Sequence, residues 1–152
     1  MTSVEADERL DQLKRRLFND VAAEVPPVFT HILERYVPPT ARTVAVTSTE
    51  LGRHSVFWLD GPQFGGLAYD DGGNDSAPRI DGAVWPVSEL RLATICIQDT
   101  EHGPATGQLT RWKRHVVFHL GGKELTFTAL DHPRGTDRAG DFIDAVLLAM
   151  GR

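Results

Sequence analysis

Two adjacent glycines in the last third of the chain, Gly121-Gly122, constrain its fold more than any other feature. They separate two runs rich in β-branched and aromatic residues, 111–120 (RWKRHVVFHL) and 123–130 (KELTFTAL). Glycine adopts φ > 0 without steric cost, so Gly-Gly between such runs is a favoured two-residue hairpin loop. A loop of that length fixes the register. Leu120 opposes Lys123, His119 opposes Glu124, Phe118 opposes Leu125, Val117 opposes Thr126 and Val116 opposes Phe127. Opposed residues share a face of the sheet. One face therefore carries Val116, Phe118, Leu125 and Phe127, and the other carries His115, Val117, His119, Glu124, Thr126 and Thr128. A slip of one residue would mix the two sets. The spacing thus predicts a hairpin with one apolar and one polar side.

An apolar sheet face needs a cover, and the next segment supplies a candidate. Ala139, Phe142, Ile143, Val146, Leu147 and Met150 recur with helical spacing and form one stripe. Thr136 or Asp137 can cap the N-terminus, Asp137 and Asp141 sit near the positive end of the helix dipole, and Gly151 can end the helix. The stripe is expected to lie on the hairpin's apolar face.

Upstream, residues 3–23 read as a first helix. Thr2 and Glu5 have capping-box spacing, Asp11 and Arg15 form an i,i+4 pair, and Ala6, Leu10, Leu13, Leu17 and Val21 make a narrow stripe. So narrow a stripe suits docking on the body or, alternatively, a homodimer arm formed by residues 3–23. Pro26-Pro27 opens a second helix with an apolar face of Val28, Phe29, Ile32, Leu33 and Tyr36, and Pro38-Pro39 stops it. The bend between the helices falls at Glu24-Val25.

From Arg42 the period changes to two. Strands are expected at 43–49 (TVAVTST), 55–59 (SVFWL) and 64–69 (FGGLAY), with turns at Gly52-Arg53 and Asp60-Gly61-Pro62. Residues 70–82 read as an acidic, Gly-rich loop, followed by a bend at Trp85-Pro86 and a strand over about 90–97. Cys96 in that strand is expected to be a buried small residue rather than a nucleophile. Residues 99–106 read as a loop, and Gln108 begins the hairpin.

The short connections exclude βαβ crossovers and a parallel sheet, so the class is α+β. The expected architecture is one domain over residues 1–152. An N-terminal helical hairpin (1–40) precedes a curled antiparallel sheet of five to seven strands closed by a C-terminal amphipathic helix (41–152). In element order the latter part resembles the bacterial pleckstrin-homology-like roll, strands followed by one terminal helix. The two leading helices also resemble a helix-grip fold, which implies a hydrophobic cavity. The resemblance is to an order of elements and attaches to no site residue.

Composition narrows the function. A chain of 152 residues with net charge -5 lacks the basic footprint of a nucleic-acid binder. No apolar run approaches the ~18 residues of a membrane span. Cys96 is the only cysteine, so no intrachain disulfide can form, and with no evident signal peptide the expected compartment is a reducing cytoplasm. Arginine outnumbers lysine thirteen to three, which fits a GC-rich bacterial coding bias.

No P-loop, nucleophile elbow, dinucleotide fingerprint, C-x-x-C or H-E-x-x-H occurs. His54, His102, Asp131 and His132 are acid–base candidates near turns, but nothing in the sequence gathers them. His115 and His119 form HxxxH on a strand, where four residues separate them by about 13 Å, too far to share a metal. The acidic loop is no EF-hand, since Asp75 stands where glycine is needed and Asp81 where glutamate is needed. No cofactor is expected.

The best site candidate is Arg111, Lys113, His115 and His119, which alternate onto one face as a basic stripe on an acidic protein. That pattern predicts a non-enzymatic binding domain that recognises a protein partner or small anionic ligand, in an adaptor, inhibitor or immunity-type role. The alternative rests on Phe57, Trp58, Phe64 and Tyr69. They pack as core or else line an apolar cavity inside the curled sheet, as in a small-ligand carrier or enzyme.

Overall fold

A computed structural model describes residues 2–18, 25–48, 53–72, 77–99 and 111–151. The class is α+β, with a helix pair first, antiparallel strands next and a helix last. The described strands form two four-stranded sheets, and the chain divides into two compact units, Met1–Trp85 and Pro86–Arg152.

In the N-terminal unit, α1 (Ser3–Phe18) opens with the expected capping box. Thr2 N–H donates to Glu5 Oε2 at 3.0 Å and Glu5 N–H donates to Thr2 Oγ1 at 3.3 Å. The rest of the expected first helix, residues 19–23, and the bend residue Glu24 lie outside the described residues. The second helix, α2 (Pro27–Tyr36), carries proline in its first turn and ends at Val37, whose N–H donates to Leu33 O at 2.8 Å. Pro38 follows, without an N–H to extend the helix.

The first sheet runs in the order β1 (Arg42–Ser48), β2 (Arg53–Asp60), β3 (Gln63–Asp70) and β4 (Arg79–Pro86). Its antiparallel register places Ala45, Val56 and Leu67 in line, and likewise Thr43, Trp58 and Gly65. This face meets the helices: Leu17, Phe29, Leu33 and Val37 pack with Val56, Trp58 and Tyr69. The rings of Phe29 and Tyr69 lie 5.9 Å apart. Glycine at 65 is required by this packing, because a Cβ there would fall 2.1 Å from the Trp58 ring. On the opposite face Phe57 stacks on Phe64 at 6.0 Å, and Val44 and Phe64 are buried. The sheet is apolar on both sides, which is why its strands read as near-continuous apolar runs.

Strand β4 corrects the end of the expected loop over 70–82, at residues 79–82, while residues 73–76 of that loop lie outside the described residues. The segment RIDGAVWP carries a glycine, a proline and two charges, all loop signals. They are also what an edge strand tolerates, and β4 is an edge. Pro86 ends the strand at the expected bend, and a short 3-10 turn, Val87–Glu89, follows.

The C-terminal unit holds β5 (Arg91–Asp99), β6 (Trp112–Leu120), β7 (Lys123–His132), β8 (Gly135–Thr136) and α3 (Arg138–Ala149), with sheet order β5-β6-β7-β8. The β6–β7 register is the one the Gly-Gly loop demands, from Leu120↔Lys123 through Val116↔Phe127. Gly121 and Gly122 have φ of 55° and 84°. Residues 100–110, including Gln108, lie outside the described residues.

Asp137 caps α3 by accepting from Gly140 N–H at 3.0 Å, and Gly151, at φ 85°, follows its end. The helix packs on β7. Phe118, Phe127 and Phe142 form a chain of rings with centroids 6.1 and 5.6 Å apart. Val116, Ile143 and Val146 close the core around them. Each fully buried side chain of this size contributes about 1.5–3 kcal/mol.

Cys96 is exposed, a correction to its expected burial. It lies on β5, the edge strand of the second sheet. Ile95 and Ile97 are exposed too, on the side of Val116 and Arg114. A helix lying along β7 covers β6 and β7 and leaves β5 open on both faces.

Candidate functional site

The polar face of the second sheet is built by alternation. Lys113, His115, Val117 and His119 of β6 point away from the core residues Val116 and Phe118. Lys113 to His119 spans about 20 Å, at ~3.4 Å per residue. Lys113 is exposed, and Arg111 stands exposed just before β6 begins.

His115 is held on both sides. Its Nδ1 lies 3.0 Å from Thr128 Oγ1 on β7, and its Nε2 lies 3.3 Å from Gln98 Oε1 on β5. The two contacts leave the ring little freedom about χ1 and χ2. His119 Nε2 lies 3.3 Å from Glu124 Oε1, the exposed cross-strand pair expected from the hairpin register. Such a pair is worth about 0–1 kcal/mol.

The β5–β6 register adds a residue the sequence reading missed. Arg91 lies opposite His119, so it joins this face as a further exposed cation. Its membership depends on how β5 pairs with β6 across the long connection, and no local pattern encodes that pairing. The uncharged part of the face comprises Thr94, Cys96, Gln98, Thr126 and Thr128, together with the apolar Val117 and Leu130. Among the described residues no group of three or more His, Cys, Asp or Glu is placed to hold a metal ion.

The core side of the same strand carries a contrasting cation. Arg114 Nη1 donates to Asp144 Oδ1 on α3 at 2.5 Å, and Nη2 donates to Asp131 Oδ1 on β7 at 3.3 Å. Arg114 Nε lies 3.0 Å from Asp131 Oδ2, a charge contact without hydrogen-bond alignment. Burial pulls the Arg114 guanidinium down, and the two carboxylates more than offset it, leaving the group above its ordinary pKa. It stays charged at every working pH. Asp131 is thus tied into a structural ion cluster. Of the other acid–base candidates, His132 Nδ1 accepts from Arg134 N–H at 3.2 Å, His54 sits in β2, and His102 lies outside the described residues.

In the N-terminal unit the apolar aromatics divide. Trp58 and Tyr69 join the helix-side core, and Phe57 and Phe64 take the other face. Of the four, Trp58 also borders an open groove of about 540 Å³ between α2 and β4. Val28, Ile32 and Tyr36 line it from the helix, Leu67 from β3, and Ile80, Gly82, Ala83 and Val84 from β4. This groove lies between a helix and an edge strand whose first half reads as loop in the sequence, and is distinct from the cavity inside the curled sheet of the alternative expectation.

At the far end of β3, Asp70 Oδ1 accepts from Gly72 N–H at 2.9 Å and Oδ2 accepts from Arg53 Nε at 3.0 Å. The Gly72 N–H foremost, then Arg53, holds this carboxyl below its ordinary pKa.

No protein-family model matches the chain, and no curated protein or solved structure does.

Proposed function

We propose that this chain is a non-enzymatic binding protein that recognises an acidic protein surface through the polar face of β5–β7. The observation that carries the reading is the placement of α3. It covers the apolar side and leaves Arg91, Lys113 and His115 spread along the other side, with Arg111 at the strand's entrance. His115, braced by Gln98 and Thr128, is a preorganised contact and needs little ordering on binding.

A sheet face that no described element of its own unit covers suits a protein better than a small ion, which needs a concave site. Three strands spaced ~4.8 Å over ~20 Å give roughly 300 Å². A standard interface buries about 800 Å² per partner. The encounter is therefore weak and salt-sensitive unless adjoining loops widen it. A reducing cytoplasm suits the reading, since Cys96 on this face then stays a thiol. The order of strands followed by a terminal helix supports the pleckstrin-homology-like comparison. The exposure of residues 3–9 in α1 supports the homodimer arm as a further element.

The test is an amide-resolved NMR titration with a polyglutamate peptide. Shifts should cluster on Lys113, His115, His119 and their β5 and β7 neighbours. They should collapse between 0.1 and 1 M salt, as the Debye length falls from ~10 to ~3 Å. The double variant Arg111→Glu, Lys113→Glu should lose them while stability changes by no more than about 0.5 kcal/mol. Shifts located elsewhere, or unchanged in the variant, would refute the reading.

A further inference from the structure

We infer that the groove between α2 and β4 is a second binding site, for a neutral, elongated, mainly apolar small molecule. One wall of the groove is α2. Its inward residues Phe29 and Leu33 fill the core, while Val28, Ile32 and Tyr36, each four residues apart, form a second apolar stripe along its flank. A helix anchored by one stripe has no structural need of another facing an opening.

Across the gap, Ile80 and Val84 project from alternate positions of the edge strand. Val28, Tyr36 and Val84 are 54%, 60% and 52% exposed, so the walls stand apart instead of collapsing onto each other. Gly82 between them keeps the strand close to β3, because a Cβ there would fall 2.0 Å from Gly66 O. Both walls are of similar length. Val28 to Tyr36 covers about 12 Å of helix, and Ile80 to Val84 about 13 Å of strand.

Charge and size specify the occupant. Among the described residues the lining holds no carboxylate, ammonium, guanidinium or imidazole, although about 24% of the chain's residues are charged. An ion entering the groove would give up its hydration without a counter-charge, whereas a neutral apolar body gives up little. A volume of about 540 Å³ falls in the range of small-molecule sites. The Tyr36 hydroxyl, on an exposed side chain at the rim, offers one polar handle. The occupant is therefore a neutral molecule about 12 Å long with at most one or two hydrogen-bonding groups. A segment of another protein would bring charged flanks and a chain that outruns the walls.

The test uses the whole protein and a neutral fluorophore, N-phenylnaphthylamine. Wild-type protein should bind it saturably at one equivalent, with quenching of tryptophan emission through the neighbouring Trp58. Val84→Glu and Val28→Glu, both at exposed positions that the fold tolerates, should each weaken binding roughly tenfold or more. Val28→Trp should block it by filling the groove. Thermal unfolding of each variant should match wild type. The Lys113→Glu variant should bind the probe unchanged, which separates this site from the polar face of β5–β7. Absence of saturable binding, or binding indifferent to Val84→Glu, would overturn the inference. Displacement of the probe by apolar peptides but by no neutral small molecule would assign the groove to a protein partner and overturn it equally.

Discussion

Each unit lays helix on one face of a four-stranded sheet, and each leaves an edge strand of that face uncovered. In the N-terminal unit the uncovered strand is β4, with Val84 exposed; in the C-terminal unit it is β5, with Ile95 and Ile97. The difference lies on the opposite faces. Behind β1–β3 the sheet is apolar again, with Val44, Leu59 and Phe64 buried. Behind β5–β7 it is polar and open, with Lys113 and Thr128 exposed. A sheet with one wet side has its register dictated by alternation. A sheet with two dry sides must be organised by close approaches such as Trp58 on Gly65.

The largest expected effect tests whether the two dry faces are equally closed. Phe127→Ala on the helix side of the C-terminal sheet should cost about 3–5 kcal/mol, and Phe64→Ala on the far face of the N-terminal sheet should cost as much. Denaturant unfolding reads both. A loss below about 1 kcal/mol at Phe64 would mean that its face is not a core, and the contrast would fail.

A smaller effect concerns the two charged sides of β6. Arg114→Leu strands Asp131, whose side chain is 8% exposed, and should cost about 3 kcal/mol. Asp144→Ala should cost no more than about 1 kcal/mol, since its side chain is 55% exposed. Replacing Arg114 and Asp131 together by leucine should recover most of the loss. Equal losses for Arg114→Leu and Lys113→Leu would erase the distinction between the two faces.

Next comes the cap that joins sheet to helix. Asp137 accepts from Gly140 N–H and, through its other oxygen, from Leu130 N–H at 3.2 Å. Asp137→Ala should cost about 1 kcal/mol, and Asp137→Asn less, by thermal melting. The smallest effect is at the end of β3. With its pKa held below the ordinary value by Gly72 N–H and Arg53, ionised Asp70 stabilises the fold above the unfolded-state pKa. That contribution is lost as pH falls through the lower, folded-state pKa. Asp70→Asn should therefore lower stability slightly at pH 7, and its difference from wild type should shrink away as pH falls below about 4, which flattens the acid limb of the stability curve.

Legibility in the sequence followed the same division. The β6–β7 register, the Asp137 cap and the stripe of Phe142, Ile143 and Val146 could be derived because turn chemistry, alternation and helical period agree there. Strand β4 could not, since glycine, proline and charge mark an edge strand and a loop alike. Cys96 looked buried because its neighbours are isoleucines, but burial depends on how far α3 reaches across the sheet, a tertiary fact. For the candidate site, Lys113, His115 and His119 were readable from alternation on one strand. Arg91 was not, because it arrives by a pairing across residues 100–110. The groove was hidden for a related reason: one of its walls belongs to β4.

Helix α3 covers one side of the second sheet and leaves the other exposed, and Cys96, the chain's only cysteine, reports on this directly. The decisive measurement is the rate at which a soluble thiol reagent modifies the native protein. Cys96 should react nearly as fast as in denaturant, while the thiol introduced by Val116→Cys in a Cys96→Ser background should react only through unfolding. Slow, unfolding-limited modification of Cys96, or prompt modification at position 116, would contradict the account.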